Sequence, residues 1–269
     1  MSVIPDGFPK VSLNPKDWAQ KALGVAKDAA RTAKDTLKDA ASGLVPDRVI
    51  LNPAMPPYTP LPATERVAAE QRSVGKTYPQ RAIQNADGKS HEPITLVVSG
   101  SREALVEALT KAGWTQADPV DVISGAKTAL TTVSKALPGP KYDYEAVPMA
   151  DMVMDGRPNE LAFNKNSDHG ITRDHMRIFR TDQVDAHGNP VWEIAATRDI
   201  ALGIAPKDPN TWHEIDKNLD PERDMVMADL LGTGQVKDWH VAKGTPKPED
   251  AAAIAKYQTD GKVYLVALD

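Results

Sequence analysis

The chain has 269 residues, of which 41% are apolar and 5% aromatic, with a net charge of −5 and no cysteine. The lack of cysteine excludes disulfides, thiolate zinc sites and cysteine nucleophiles together, and an acidic balance without a long basic block argues against a nucleic-acid partner. The opening MSVIPDGFPKVSLNPKDW has no basic region followed by an apolar stretch, so no secretory signal is read there. Apolar runs such as Ile94-Thr95-Leu96-Val97-Val98 fall far short of the ~20 residues that span a bilayer, so a soluble, cytoplasmic chain is expected.

Residues 14–44 read as a helix, with Asn14 as N-cap and Pro15 at the first helical position, where its missing N–H is harmless. Its stripe (Trp18, Ala22, Val25, Ala29, Ala33, Leu37, Leu44) is mostly alanine with lysines beside it, so it buries little apolar area. That pattern fits a solvated helix, or one lying peripherally on a lipid surface. Residues 45–62 hold six prolines (Pro46, Pro53, Pro56, Pro57, Pro60, Pro62) and read as a linker or an extended strap lying on the domain. The expected division is an N-terminal extension, 1–75, and a globular domain, 76–269.

The globular part opens at Tyr78-Pro79-Gln80-Arg81, turns at Asn85-Ala86-Asp87-Gly88 and continues into a strand at 93–99. Ser101 then caps a helix over 102–112 that stops at Gly113, and a second helix is predicted over 119–137. Beyond residue 147 the pattern turns to strands: 151–154 and 160–164 about Gly156-Arg157-Pro158, then 173–181 and 191–200 about a Gly188-Asn189-Pro190 turn. Asp220 with Pro221 starts a helix to about Leu231, and Thr259-Asp260-Gly261 turns into a final strand, 262–268. Hairpins interspersed with helices give an α+β fold, a mostly antiparallel sheet with packed helices, preceded by the N-terminal helix and proline-rich strap.

The chemistry concentrates in Arg173-Asp174-His175-Met176-Arg177-Ile178-Phe179. On a strand, Met176 and Ile178 face the core while Arg173, His175 and Arg177 share the other face. In the partner strand Trp192, Ile194 and Ala196 point inward, and Glu193, Thr197 and Asp199 outward. The loop length puts Arg173 opposite Asp199 and His175 opposite Thr197. His213-Glu214-Ile215-Asp216 is the second polar stretch. If it docks on the same face, His175, His213, Asp199 and Asp216 form an acid–base set with Arg173 and Arg177 as anion-binding groups. Alternatively His175, His213 and Asp216 hold a divalent metal, the cofactor such a thiolate-free set would take. The other reading is a solvated face with cross-strand ion pairs. Asp216-x-Asn218-x-Asp220 fails as a calcium loop, because Pro221 stands where glycine is needed. Ser99-Gly100-Ser101 reads as capping, and Gly232-Thr233-Gly234 as a helix stop.

Together these motifs resemble the C-terminal domain of LssY-type proteins. The run is Tyr78-Pro79-Gln80-Arg81, Val98-Ser99-Gly100-Ser101, Ala112-Gly113-Trp114, Pro148, Asp155-Gly156-Arg157-Pro158 through Ala162-Phe163, Arg173 to Phe179, Trp192 to Asp199, His213-x-Ile215-Asp216, Glu222-Arg223-Asp224 and Thr259-Asp260-Gly261. The resemblance implies a bacterial protein linked to the cell envelope. Members of that family carry the domain behind membrane modules similar to lipid-phosphate phosphatases or DedA-type proteins, and the phosphatase activity belongs to those modules. Two functions follow as expectations: a non-catalytic binding or accessory module contacting an envelope protein or lipid surface, or a hydrolase of phosphoesters using the His/Asp/Arg cluster.

Overall fold

The computed structural model describes residues 49–51, 56–72, 75–120, 124, 127–128, 131, 144–168, 172–205 and 208–269. The expected helix over 14–44 lies outside them, as does most of the expected helix over 119–137, of which Ser124, Lys127, Thr128 and Thr131 are helical.

In chain order the elements are β1 (Val49–Leu51), α1 (Ala63–Arg72), β2 (Thr77–Gln80), β3 (Ala82–Gln84), β4 (Ser90–Pro93), β5 (Leu96–Ser99), α2 (Arg102–Lys111) and β6 (Thr115–Gln116). Then follow β7 (Val153–Met154), β8 (Arg157–Pro158), β9 (Leu161–Asp168), β10 (Thr172–Val184), β11 (Pro190–Ala205), β12 (Asp208–Ile215), α3 (Asp220–Gly232), β13 (Val236–Pro246), α4 (Ala251–Ile254) and β14 (Lys262–Leu268). Among the described residues a ten-stranded sheet runs β2-β13-β14-β5-β11-β10-β9-β6, with β1 and β12 also paired to β11. A smaller sheet runs β4-β3-β7-β8. The fold is α+β, as the pattern predicts. Its large sheet is mixed, because β2–β13 and β5–β14 pair in parallel.

Local chemistry explains the best-defined pieces. Ser101 Oγ accepts from the Ala104 amide at 3.0 Å and so starts α2. Asp185 Oδ1 accepts from the amides of His187 and Asn189, closing the turn that aligns β10 with β11. Asp220, expected to cap α3, does not: Leu219 is the N-cap, and the Asp220 carboxylate instead accepts from Arg223, Thr259 and the Asp260 amide. The expected strand 93–99 is two strands, β4 and β5, which belong to different sheets.

The large sheet has apolar neighbours on both faces. Leu105, Leu109, Met225, Val226 and Leu230 of α2 and α3 pack on Met176, Ile178, Trp192, Ile194, Ala196 and Tyr264. The opposite face carries Phe179, Ala195, Val97 and Val263 against Ile83, Ile94, Met152 and Met154 of the smaller sheet and its flanks. The part of the chain before residue 76 that is described also docks here. β1 pairs with Leu202–Ile204, and Leu61 joins the helix-side core at 3% exposure.

Candidate functional site

The β10–β11 register is the one the alternation predicts: Arg173 faces Asp199, and His175 faces Thr197. These side chains lie on the face toward the smaller sheet, and they are enclosed rather than solvated. His175 is 2% exposed, Thr197 2% and Asp199 1%. The segment 147–150 crosses over them: Arg173 Nη1 donates to the Pro148 carbonyl at 3.3 Å and Arg177 Nε to the Ala150 carbonyl at 3.2 Å. Asn164 donates to the Val147 carbonyl from the neighbouring strand. The expectation of a solvated sheet face is thus corrected, because a second layer closes over the polar end of the hairpin.

Asp199 is the hub. Its Oδ2 accepts from Arg173 Nε at 2.9 Å and lies 3.3 Å from His213 Nδ1 and 3.5 Å from His175 Nδ1. β12 therefore brings His213 onto the same face as His175, as the sequence anticipates. Arg177 Nη1 lies 3.3 Å from His175 Nε2. A guanidinium has donors only, so Nε2 accepts and the ring proton sits on Nδ1, toward Asp199. Thr197 Oγ1, 3.0 Å away, donates to the same Nε2. Burial pushes the His175 imidazole down to about 3, against the pull of Asp199, so the ring is neutral at ordinary pH. Burial acts to raise Asp199, but His175, Arg173 and His213 outweigh it and hold the carboxyl below its usual range.

Asp216 does not join this group. Its Oδ2 accepts from the Tyr58 hydroxyl at 3.1 Å, and the Tyr58 ring lies 3.5 Å from the Arg198 guanidinium carbon. Arg198 precedes Asp199 on β11 and so points to the helix side of the sheet. The proposed metal set of His175, His213 and Asp216 is divided by the sheet. Among the described residues no three of His, Asp and Glu come together as metal ligands.

On the helix side sits a cluster that motif reading missed. Arg198 Nε donates to Asp174 Oδ1 at 2.5 Å and lies 3.8 Å from Glu222 Oε2 of α3. Asp174 and Glu222 are 0% exposed. The signal was present: alternation places Asp174 and Arg198, directly opposite each other, on the same stripe as Met176 and Ala196. A charged pair ending an apolar stripe marks a buried ion pair.

A family profile described as LssY C-terminus matches residues 75–263. The chain belongs to the LssY C-terminus family. No curated protein and no solved structure matches it. Several LssY motif residues tie separate elements together. Tyr78 donates to Glu193 at 2.5 Å, and Arg81 bridges Glu193 and Asp155. Trp114 Nε1 donates to Asp229 at 2.9 Å, which also pairs with Lys165. Arg223 ties α3 to the Asp260 turn at 2.6 Å.

Proposed function

We propose that this LssY-type domain is a non-catalytic binding or accessory module rather than a hydrolase centred on its histidines. The observation that carries the reading is the mutual engagement of the reactive groups. All four of Arg173, His175, Thr197 and Asp199 are enclosed; Arg173 is bonded to Asp199 and Thr197 to His175, whose Nδ1 lies 3.5 Å from Asp199. Drawing Arg173 or Asp199 toward a substrate would strand a buried charge, at a cost of several kcal/mol. The motif residues support the same reading, since Tyr78 links β2 to β11, Arg81 joins the two sheets through Glu193 and Asp155, and Trp114 and Arg223 tie neighbouring loops to α3.

The partner is a protein or lipid surface of the bacterial envelope, reached peripherally through residues 1–48. That follows from the family resemblance and from the lysine-flanked alanine stripe. Among the described residues no helix is long and apolar enough to cross a membrane. The test compares the full chain with a form lacking residues 1–48, which keeps β1, Tyr58 and Leu61. Recovery on anionic liposomes and on cross-linked envelope fractions is expected to drop for the shorter form at an unchanged thermal midpoint. Equal recovery on both overturns the reading. A hydrolase would instead turn over a phosphate ester in a manner lost in His175→Ala; no such His175-dependent turnover is expected.

A further inference from the structure

The helix-side cluster has a chemical peculiarity. Glu222 is fully buried, and neither of its carboxyl oxygens meets an N–H or O–H donor at hydrogen-bond distance. Its carboxyl neighbour Asp174 is bonded to Arg198, and the same guanidinium is the nearest cation to Glu222. Two enclosed carboxyl groups that share one cation keep a proton between them, because a second bare carboxylate would be both desolvated and repelled. Burial, then the charge of Asp174, raises Glu222 well above the usual carboxylate range. The neutral acid donates to Asp174, leaving one negative charge for one guanidinium.

The strap closes this site. Arg198 Nη1 donates to the Pro56 carbonyl at 3.0 Å, and the same guanidinium sits over the Tyr58 ring, 3.5 Å from its centroid. The Tyr58 hydroxyl reaches Asp216, and Leu61 anchors in the core. We propose that the proton shared by Glu222 and Asp174 is a latch for the strap: while it is held, residues 56–61 stay on the sheet, and its loss as pH rises lifts them from Arg198.

The charged surroundings fit this assignment. Asp174 comes from β10, Arg198 from β11, Asp216 from the end of β12 and Tyr58 from the strap. On α3 itself, Asp229 faces the same region and is paired with Lys165 of β9. Arg223, Asp220 and Asp224 are engaged with Asp260 and Tyr264. The sulfur of Met225 lies 3.9 Å from Arg198 Nη2. Ionised Glu222 would place a second carboxylate on Arg198, with Asp216 a third nearby. Water is the remedy, and the strap is the cover it can displace, since Tyr58 is half-buried while Glu222 is wholly enclosed. Burial raises the Tyr58 phenol far above its usual range, so the alkaline response belongs to the carboxyl pair.

The chain has no cysteine, so Thr59→Cys on the exposed side of the strap gives a unique spin-label site in the full-length protein. Between about pH 6 and about pH 10, the label is expected to change from an immobilised to a mobile line shape, while a label at Val184→Cys stays unchanged. Glu222→Gln, whose amide still donates to Asp174 but cannot ionise, should keep the label at residue 59 immobilised throughout. An unchanged line shape in the parent, or the same mobilisation in Glu222→Gln, overturns the latch. Should Glu222→Gln fail to fold, Asp174→Asn gives the second measurement: without the neighbouring carboxylate that raises Glu222, mobilisation that begins at lower pH supports the latch, and an unshifted transition overturns it.

Discussion

Asp199 holds three neighbours at once, Arg173, His175 and His213, so changing it tests the enclosed polar layer most directly. Asp199→Asn leaves the Arg173 guanidinium, 6% exposed, without its carboxylate. The expected loss is about 3–5 kcal/mol in urea unfolding; a loss below about 1 kcal/mol would mean that the pair is effectively solvated. His175 gives a pH signature. Its folded-state value near 3 lies below the ~6.5 of a free imidazole, so between those limits the unfolded chain takes up a proton that the folded one refuses. Stability therefore falls as pH drops through this window, by up to about 1.4 kcal/mol per pH unit, and unfolding midpoints of His175→Gln should lose that slope. Glu222 acts with opposite sign, its contribution fading as pH climbs above about 4.5. The register of Arg173 and Asp199 could be read in the sequence because alternation and turn length both fix it. The position of Asp216 could have been read and was not. His213 and Asp216 are three apart, which puts them on opposite faces of a strand, but 208–215 carries few of the β-branched residues that announce one.

Single elements show the same division. α2 was legible because Ser101 and Gly113 bracket it, and Gly113 takes a φ of +86°, which disfavours a side chain. β13 was not, since Val236–Pro246 mixes lysine, histidine and glycine, and its order comes from β14 and β2 on either side. At its centre of contact is Gly244. A Cβ there would sit 2.7 Å from Gln80 Oε1 and 3.1 Å from the Gly261 carbonyl. Gln80 cannot swing aside easily, because its Nε2 donates to the Ile94 carbonyl. Gly244→Ala is therefore expected to cost about 1–3 kcal/mol, measured by thermal or urea unfolding. A neutral result would show that β2 and β13 can slide apart.

At the scale of the whole molecule, sequence reading found the class and missed the layering. Arginine, histidine and aspartate count as surface residues in any pattern analysis, yet here one end of a sheet face is built from them and roofed by residues 147–150. The proline run predicts a linker or a strap lying on the domain, and residues 56–61 prove to be a cover. Removing residues 1–62 takes away Tyr58 and Leu61 together, and Leu61→Ala alone is expected to cost about 2–4 kcal/mol. A clear drop in thermal midpoint for the 1–62 deletion, beside an unchanged one for the 1–48 deletion, checks this. The outermost strand, β2, has a further consequence. Pro79 sits on it, exposed and without an amide hydrogen. A neighbouring molecule cannot extend the ladder past that point, which disfavours edge-to-edge polymerisation when the protein is concentrated.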